Sequence, residues 1–145
     1  MIEVSDLHYS YSKQDDPVLD GLDLQIEPGQ WLAVVGRNGS GKSTLARCLN
    51  GLFLPDSGRV LVDGMDTSDE SLLYSIRERV AFVFQNPDNQ LVATSVEDDI
   101  AFGLENLGIP REEITDRVEQ ALATMRLTDK RDKPPHLLSG GEKQR

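Results

Sequence analysis

The chain has 145 residues, and its 25 acidic side chains outnumber 15 basic ones for a formal net charge of −10. That balance excludes the broad basic footprint of a nucleic-acid binder, and no apolar run approaches the ~18–20 residues of a membrane span. Hydrophobic residues make up 38%, enough for a globular core. The single cysteine, Cys48, cannot close an internal disulfide and reads as a packed core residue. Met1–Val4 carries no basic or apolar leader pattern, so a reducing, cytosolic setting is expected.

Ile2 to Leu7 and Leu22 to Ile26 alternate as half-buried strands, joined through a polar loop, Ser12 to Pro17. Pro28-Gly29 punctuates the entry to an apolar run, Trp31 to Val35, expected as a strand buried on both faces. Next comes Gly36 to Thr44, GRNGSGKST, which fits the phosphate-binding pattern G-x-x-x-x-G-K-[ST]. Leu45, Leu49 and Leu52 follow at helical spacing, completing a strand–loop–helix context. Gly36, Gly39 and Gly41 are expected to take positive φ and let the backbone approach an anion. Backbone N–H groups and the helix N-terminus would then point at phosphate oxygens. Lys42 would sit between β- and γ-phosphates, and Ser43 would ligate Mg²⁺. The binding set is Gly36, Asn38, Gly39, Ser40, Gly41, Lys42, Ser43 and Thr44, and the ligand class is a nucleoside triphosphate.

Arg59 to Val62 followed by Asp63-Gly64 reads as a short strand and tight turn. Val80 to Phe84 is a second compact apolar run, expected as a buried parallel strand. Thr94-Ser95-Val96-Glu97 has the spacing of a capping box with Thr94 as cap. Val96, Ile100, Leu104 and Leu107 continue it as a helix that Gly108 ends. Pro110 starts another, with Ile114, Val118, Leu122 and Met125 as its apolar stripe and Pro134-Pro135 as its breaker. The chain divides into a nucleotide-binding core over residues 1–92 and a helical region over 93–145.

The last stretch reads Leu138-Ser139-Gly140-Gly141-Glu142-Lys143-Gln144-Arg145. GRNGSGKST followed by LSGG resembles the nucleotide-binding domain of ATP-binding-cassette (ABC) transporters. Val83-Phe84-Gln85 resembles that family's Q-loop, and Tyr11 stands where it places an aromatic residue on adenine. Phe84 to Leu91, FQNPDNQL, and Glu97 to Asn106, EDDIAFGLEN, are similar to the ATPases of energy-coupling factor (ECF) importers, cobalt-type ATPases included. The resemblance implies an α/β fold. It would comprise a RecA-like P-loop core, an N-terminal antiparallel β subdomain and a helical subdomain, incomplete at its C-terminal side. It implies Mg-ATP as cofactor, with Lys42 and Gln85 catalytic and Ser43 and Gln85 on Mg²⁺. Thr44 would reach the α-phosphate. Ser139, Gly140 and Gly141 would face the γ-phosphate held by a second ATPase subunit, identical or sister, in a head-to-tail dimer. The further partners implied are a membrane T component and a substrate-binding S component, with the subunit peripheral on the cytoplasmic face and vitamin or metal-ion uptake as its task. The apolar residues between Gln85 and Asp98 would face the membrane partner.

Two departures from the family pattern stand out. Glu142 replaces the Gln of many members. No run of four apolar residues ending in Asp-Glu occurs, so the Walker B strand and the switch His are expected to lie beyond Arg145. The chain is therefore expected to be cut near the first turn of the signature helix and to be inactive alone. ATPases of other ABC classes are the alternative. A chromosome or DNA-repair ATPase with the same signature would carry a long coiled coil between Ser43 and Ser139, where no sustained heptad occurs. His8 and His136 lack ligand spacing. Asp63, Asp66 and Asp69 read as a solvated turn rather than a metal loop, since the EF-hand glycine is missing. Trp31 reads as core or edge packing.

Overall fold

The computed structural model describes residues 1–14 and 16–145; Asp15, within the expected polar loop, lies outside the described residues. Two compact units form, Met1–Phe82 and Val83–Arg145. The segment 83–92 belongs with the second unit. Its Val92 N–H and that of the following residue, Ala93, both donate to Asp99 Oδ1, at 2.8 and 3.0 Å.

In the first unit, β1 (Ile2–Tyr9), β2 (Leu19–Ile26), β3 (Ser57–Val62) and β4 (Met65–Asp66) form one antiparallel sheet of order β2-β1-β3-β4. Helix α1 (Lys42–Leu49) packs against it. Val4 and Leu7 are both buried, at 4% and 0% exposure. Their odd separation would put them on opposite faces of an unbroken strand. A bulge at Asp6, φ 48°, shifts the register and turns both inward. Asp23 secures the bulge by accepting the Asp6 N–H at 2.8 Å. The core comprises Val4, Leu7, Leu19, Leu45, Cys48 and Val60. Asp63 and Gly64, φ 48° and 79°, make the two-residue turn that sets Val62 opposite Met65.

Sequence patterning gave no sign of helix α2 (Leu73–Arg79), which follows a 3₁₀ turn capped by Asp69 and buries Ile76. Its apolar stripe is too short to register as a period. The two expected parallel strands need correction. Trp31–Val35 and Val80–Phe84 join no ladder among the described residues. Trp31 is 99% exposed and Val35 89%. A parallel strand becomes regular only through neighbours on its flanks, and the sheet here is built wholly from residues 2–66.

In the second unit, α3 (Val96–Asn106) and α4 (Arg111–Thr124) pack around Val96, Val118, Leu122, Leu127 and Leu138. The cap of α3 is Ser95, not Thr94: its hydroxyl accepts the Asp98 N–H at 3.1 Å. Glu97 is thereby free to take Arg131 in a two-point ion pair of 2.8 and 3.2 Å. The end of α4 also differs from expectation. It stops at Thr124, well before Pro134-Pro135, because Arg126 turns left-handed at φ 57°. Leu127 N–H then reaches Leu122 O and Arg126 N–H reaches Ala123 O, at 2.8 and 3.2 Å, the paired bonds of a Schellman motif. Gly108 closes α3 with the same two bonds. A short helix, α5 (Gly140–Gln144), ends the chain. No helix among the described residues is long and apolar enough to cross a membrane.

Candidate functional site

The segment Gly36–Thr44 forms a turn that enters α1 through Gly41. Gly41 has φ 85°, and a Cβ there would lie 3.0 Å from Val18 O and Leu19 Cδ2. Gly39 also takes positive φ, at 82°. Gly36 does not take the expected positive φ; a Cβ there would stand 2.6 Å from Ser40 Oγ, a contact the exposed serine side chain can relieve by rotating. No side chain caps α1, so the first-turn N–H groups left without helical acceptors have no side-chain competitor for an anion. Lys42 Nζ donates to Gly36 O and Arg37 O at 2.9 and 2.7 Å. The ammonium thus closes the loop and stands inside its curve. Ser43 is exposed on the same turn, and Asn38 and Ser40 are exposed on the loop. This donor set suits a polyphosphate: backbone N–H groups, one cation and one hydroxyl for a hard metal ion.

Tyr11 is brought to the same place. Its hydroxyl shares a 2.9 Å hydrogen bond with Thr44 Oγ1, although Thr44 is itself 97% buried by the fold. Tyr11 stands edge-on to Tyr9 and Phe53, with ring centres 5.4 and 5.9 Å away. Tyr9 and Phe53 stack at 5.1 Å, and the Arg47 guanidinium lies 5.2 Å from the Phe53 ring centre. This aromatic support escaped sequence reading, because nothing in the spacing links Phe53 to Tyr11. Cys48 lies beneath, fully buried; burial and the nearby Asp56 push its thiol up to about 11. It is inert packing, as expected.

Gln85, Ser139, Gly140 and Gly141 fall in the second unit, and all four are exposed. Ser139 and Glu142 form a reciprocal capping box: Ser139 N–H and Oγ–H donate to Glu142 Oε2 at 2.8 and 2.7 Å. Those bonds hold the Glu142 carboxyl below the usual carboxylate range. Gln at this position would keep an acceptor but lose the charge. Alongside runs a groove of about 340 Å³ whose lining includes Leu91, Ile100, Met125 and Leu138. Val92, expected to face a partner, is 64% exposed.

The remaining candidates have local roles. Asp63 takes the N-terminal ammonium, Asp66 takes Arg59 and Ser68, and Asp69 caps Ser71. His8 lies between Asp6 and Asp20, 3.1 Å from each.

Residues 19–145 match the family described as ABC transporter. Among curated relatives, the energy-coupling factor transporter ATP-binding protein EcfA1 of Symbiobacterium thermophilum is 56% identical over 144 residues, covering 94% of this chain and 50% of the relative. The EcfA1 protein of Bacillus subtilis is 53% identical over 146 residues, covering 100% and 52%. The chain spans about half the length of the curated relatives it matches. Among solved structures, cbiO1 from Clostridium perfringens, described as part of the ABC transporter complex cbiONQ, superposes with a TM-score of 0.84 at 39% identity. That match covers 99% of this chain and 57% of the other. A dimeric bacterial ABC transporter cassette, MJ0796, gives 0.83 at 26% identity, covering 99% and 65%.

Proposed function

Because the chain belongs to the ABC transporter family, we propose that it supplies the nucleotide-binding half of an ECF-type ATPase subunit, coupling Mg-ATP to uptake of a vitamin or metal ion. The observation that carries this reading is the Gly41-capped start of α1 with Lys42 folded into the loop beside Tyr11. The identity of about half the residues to EcfA1 proteins supports the ECF class over other ABC classes.

In this reading the N–H groups of Gly39 to Thr44 bind the phosphates, and Lys42 exchanges its carbonyl partners for phosphate oxygens. Tyr11 stacks on the adenine. Ser43 and Gln85 would be the residues to hold Mg²⁺, which would supply charge neutralisation to the phosphates. Ser139, Gly140 and Gly141 serve the site of a second ATPase subunit, and the subunit works at the cytoplasmic face against membrane components.

Lys42→Ala tests the reading. Loss of a charged contact worth ~1.5–3 kcal/mol weakens Mg-ATP binding about 10–150-fold at ~1.4 kcal/mol per decade. Calorimetric titration of the full-length subunit measures it. An unchanged dissociation constant removes Lys42 from the phosphate site and the reading with it.

A further inference from the structure

Within the second unit, one ion pair joins the segment after Gln85 to the helix that opens with Ser139. Lys143 Nζ donates to Asp88 Oδ1 at 2.7 Å, and the Lys143 side chain is only 13% exposed. Both ends are fixed. Asp88 sits in the 3₁₀ turn Pro87–Asn89, whose cap is Asn86: Asn86 Oδ1 accepts the Asp88 N–H at 3.1 Å. Lys143 N–H donates to Ser139 O at 2.9 Å, so the pair is one helical turn from the serine. Gln144 Nε2 reaches Phe84 O at 3.5 Å, a second strut between the same two segments. Asp88 is 60% exposed, so solvent screens the pair from that side and its contribution is positional rather than a large gain in stability.

We propose that Asp88 and Lys143 are positioning residues that hold the Ser139-Gly140-Gly141 turn in fixed relation to Gln85. This rests on the reading above, in which Gln85 attends one nucleotide and the Ser139 turn attends another. The pair then transmits the state of one nucleotide site to the element that completes the other. Neither side chain touches the reacting atoms. Its loss therefore lowers the rate of turnover while leaving first-site nucleotide affinity in place.

The test uses the full-length subunit assembled with its transporter partners. Asp88→Asn and Lys143→Met each lower kcat about fivefold, with KM for Mg-ATP held within about twofold. The double variant is no slower than either single, because both remove one interaction. Lys143→Arg, which can still reach Asp88, stays near the parent rate. Unfolding midpoints of all variants identify any general loss of fold; a variant that unfolds is replaced by Asp88→Ser or Lys143→Gln, which also remove the ion pair. Singles that match the parent, or a double that multiplies their defects, overturn the proposal. Lys42→Ala in the same series separates the two claims. If it leaves turnover intact, the nucleotide reading fails and this inference falls with it. If it abolishes turnover while the pair variants do nothing, only the inference falls.

Discussion

The 2.9 Å bond between the hydroxyls of Tyr11 and Thr44 ties the proposed adenine platform to the helix behind the phosphate loop. Two contributions of Tyr11 are therefore separable: a ring face and a hydroxyl. Tyr11→Ala removes both and is expected to weaken ATP and GTP together by ~1–3 kcal/mol, since stacking tolerates any base. Tyr11→Phe keeps the ring, held edge-on by Tyr9 and Phe53, and loses only a bond worth ~1 kcal/mol. Its nucleotide affinity stays within about fivefold of the parent. Titrating both variants with both nucleotides decides the matter; equal losses for Phe and Ala assign the role to the hydroxyl instead of the ring.

At the scale of elements, α3 and α4 end with the same pair of hydrogen bonds but different residues at the left-handed position, Gly108 at φ 66° and Arg126 at φ 57°. A side chain at that conformation costs ~1–2 kcal/mol, whereas glycine adopts it freely. Opposite responses follow. Gly108→Ala destabilises by about 1 kcal/mol, and Arg126→Gly stabilises by about 0.5–1 kcal/mol after the added freedom of the unfolded chain is subtracted. Denaturant midpoints of the two variants measure this. A stability loss in Arg126→Gly would mean that the arginine side chain holds contacts outweighing its backbone strain.

For the molecule as a whole, in-line attack on a γ-phosphate needs an oriented water and Mg²⁺ supported on more than one side. In the proposed reading Lys42, Ser43 and Gln85 would each supply part of this, and the sequence holds no apolar run ending in Asp-Glu. Trp31, Leu32, Val34 and Val35, just before the phosphate loop, are 99%, 43%, 48% and 89% exposed. So much open apolar surface favours association. Residues 1–145 by themselves are expected to hydrolyse ATP at or near background. Phosphate release from this chain beside the full-length subunit, each with a Lys42→Ala control, gives the answer. Lys42-dependent turnover within about tenfold of full length would reveal a complete site in these residues.

Local features are legible along the chain. GRNGSGKST dictates a loop with left-handed glycines at 39 and 41, because few other residues adopt that backbone, although Gly36, expected to do the same, does not. The stripe through Ile114, Val118 and Leu122 dictates α4, and Asp63-Gly64 dictates the β3–β4 turn. Tertiary structure decided what depends on distant partners. The bulge at Asp6 follows from burying Val4 and Leu7 together. Glu97 is drawn from its expected capping role to Arg131, leaving Ser95 as the cap. Trp31–Val35 is apolar enough for a central strand, yet a strand exists only through its neighbours' hydrogen bonds. Tyr11 gains Phe53, and Asp88 gains Lys143, from chain segments that no spacing connects. Hydrophobic period and turn chemistry act over a few residues, so they are legible along the chain. Pairing and burial act through space, so only the folded arrangement specifies them.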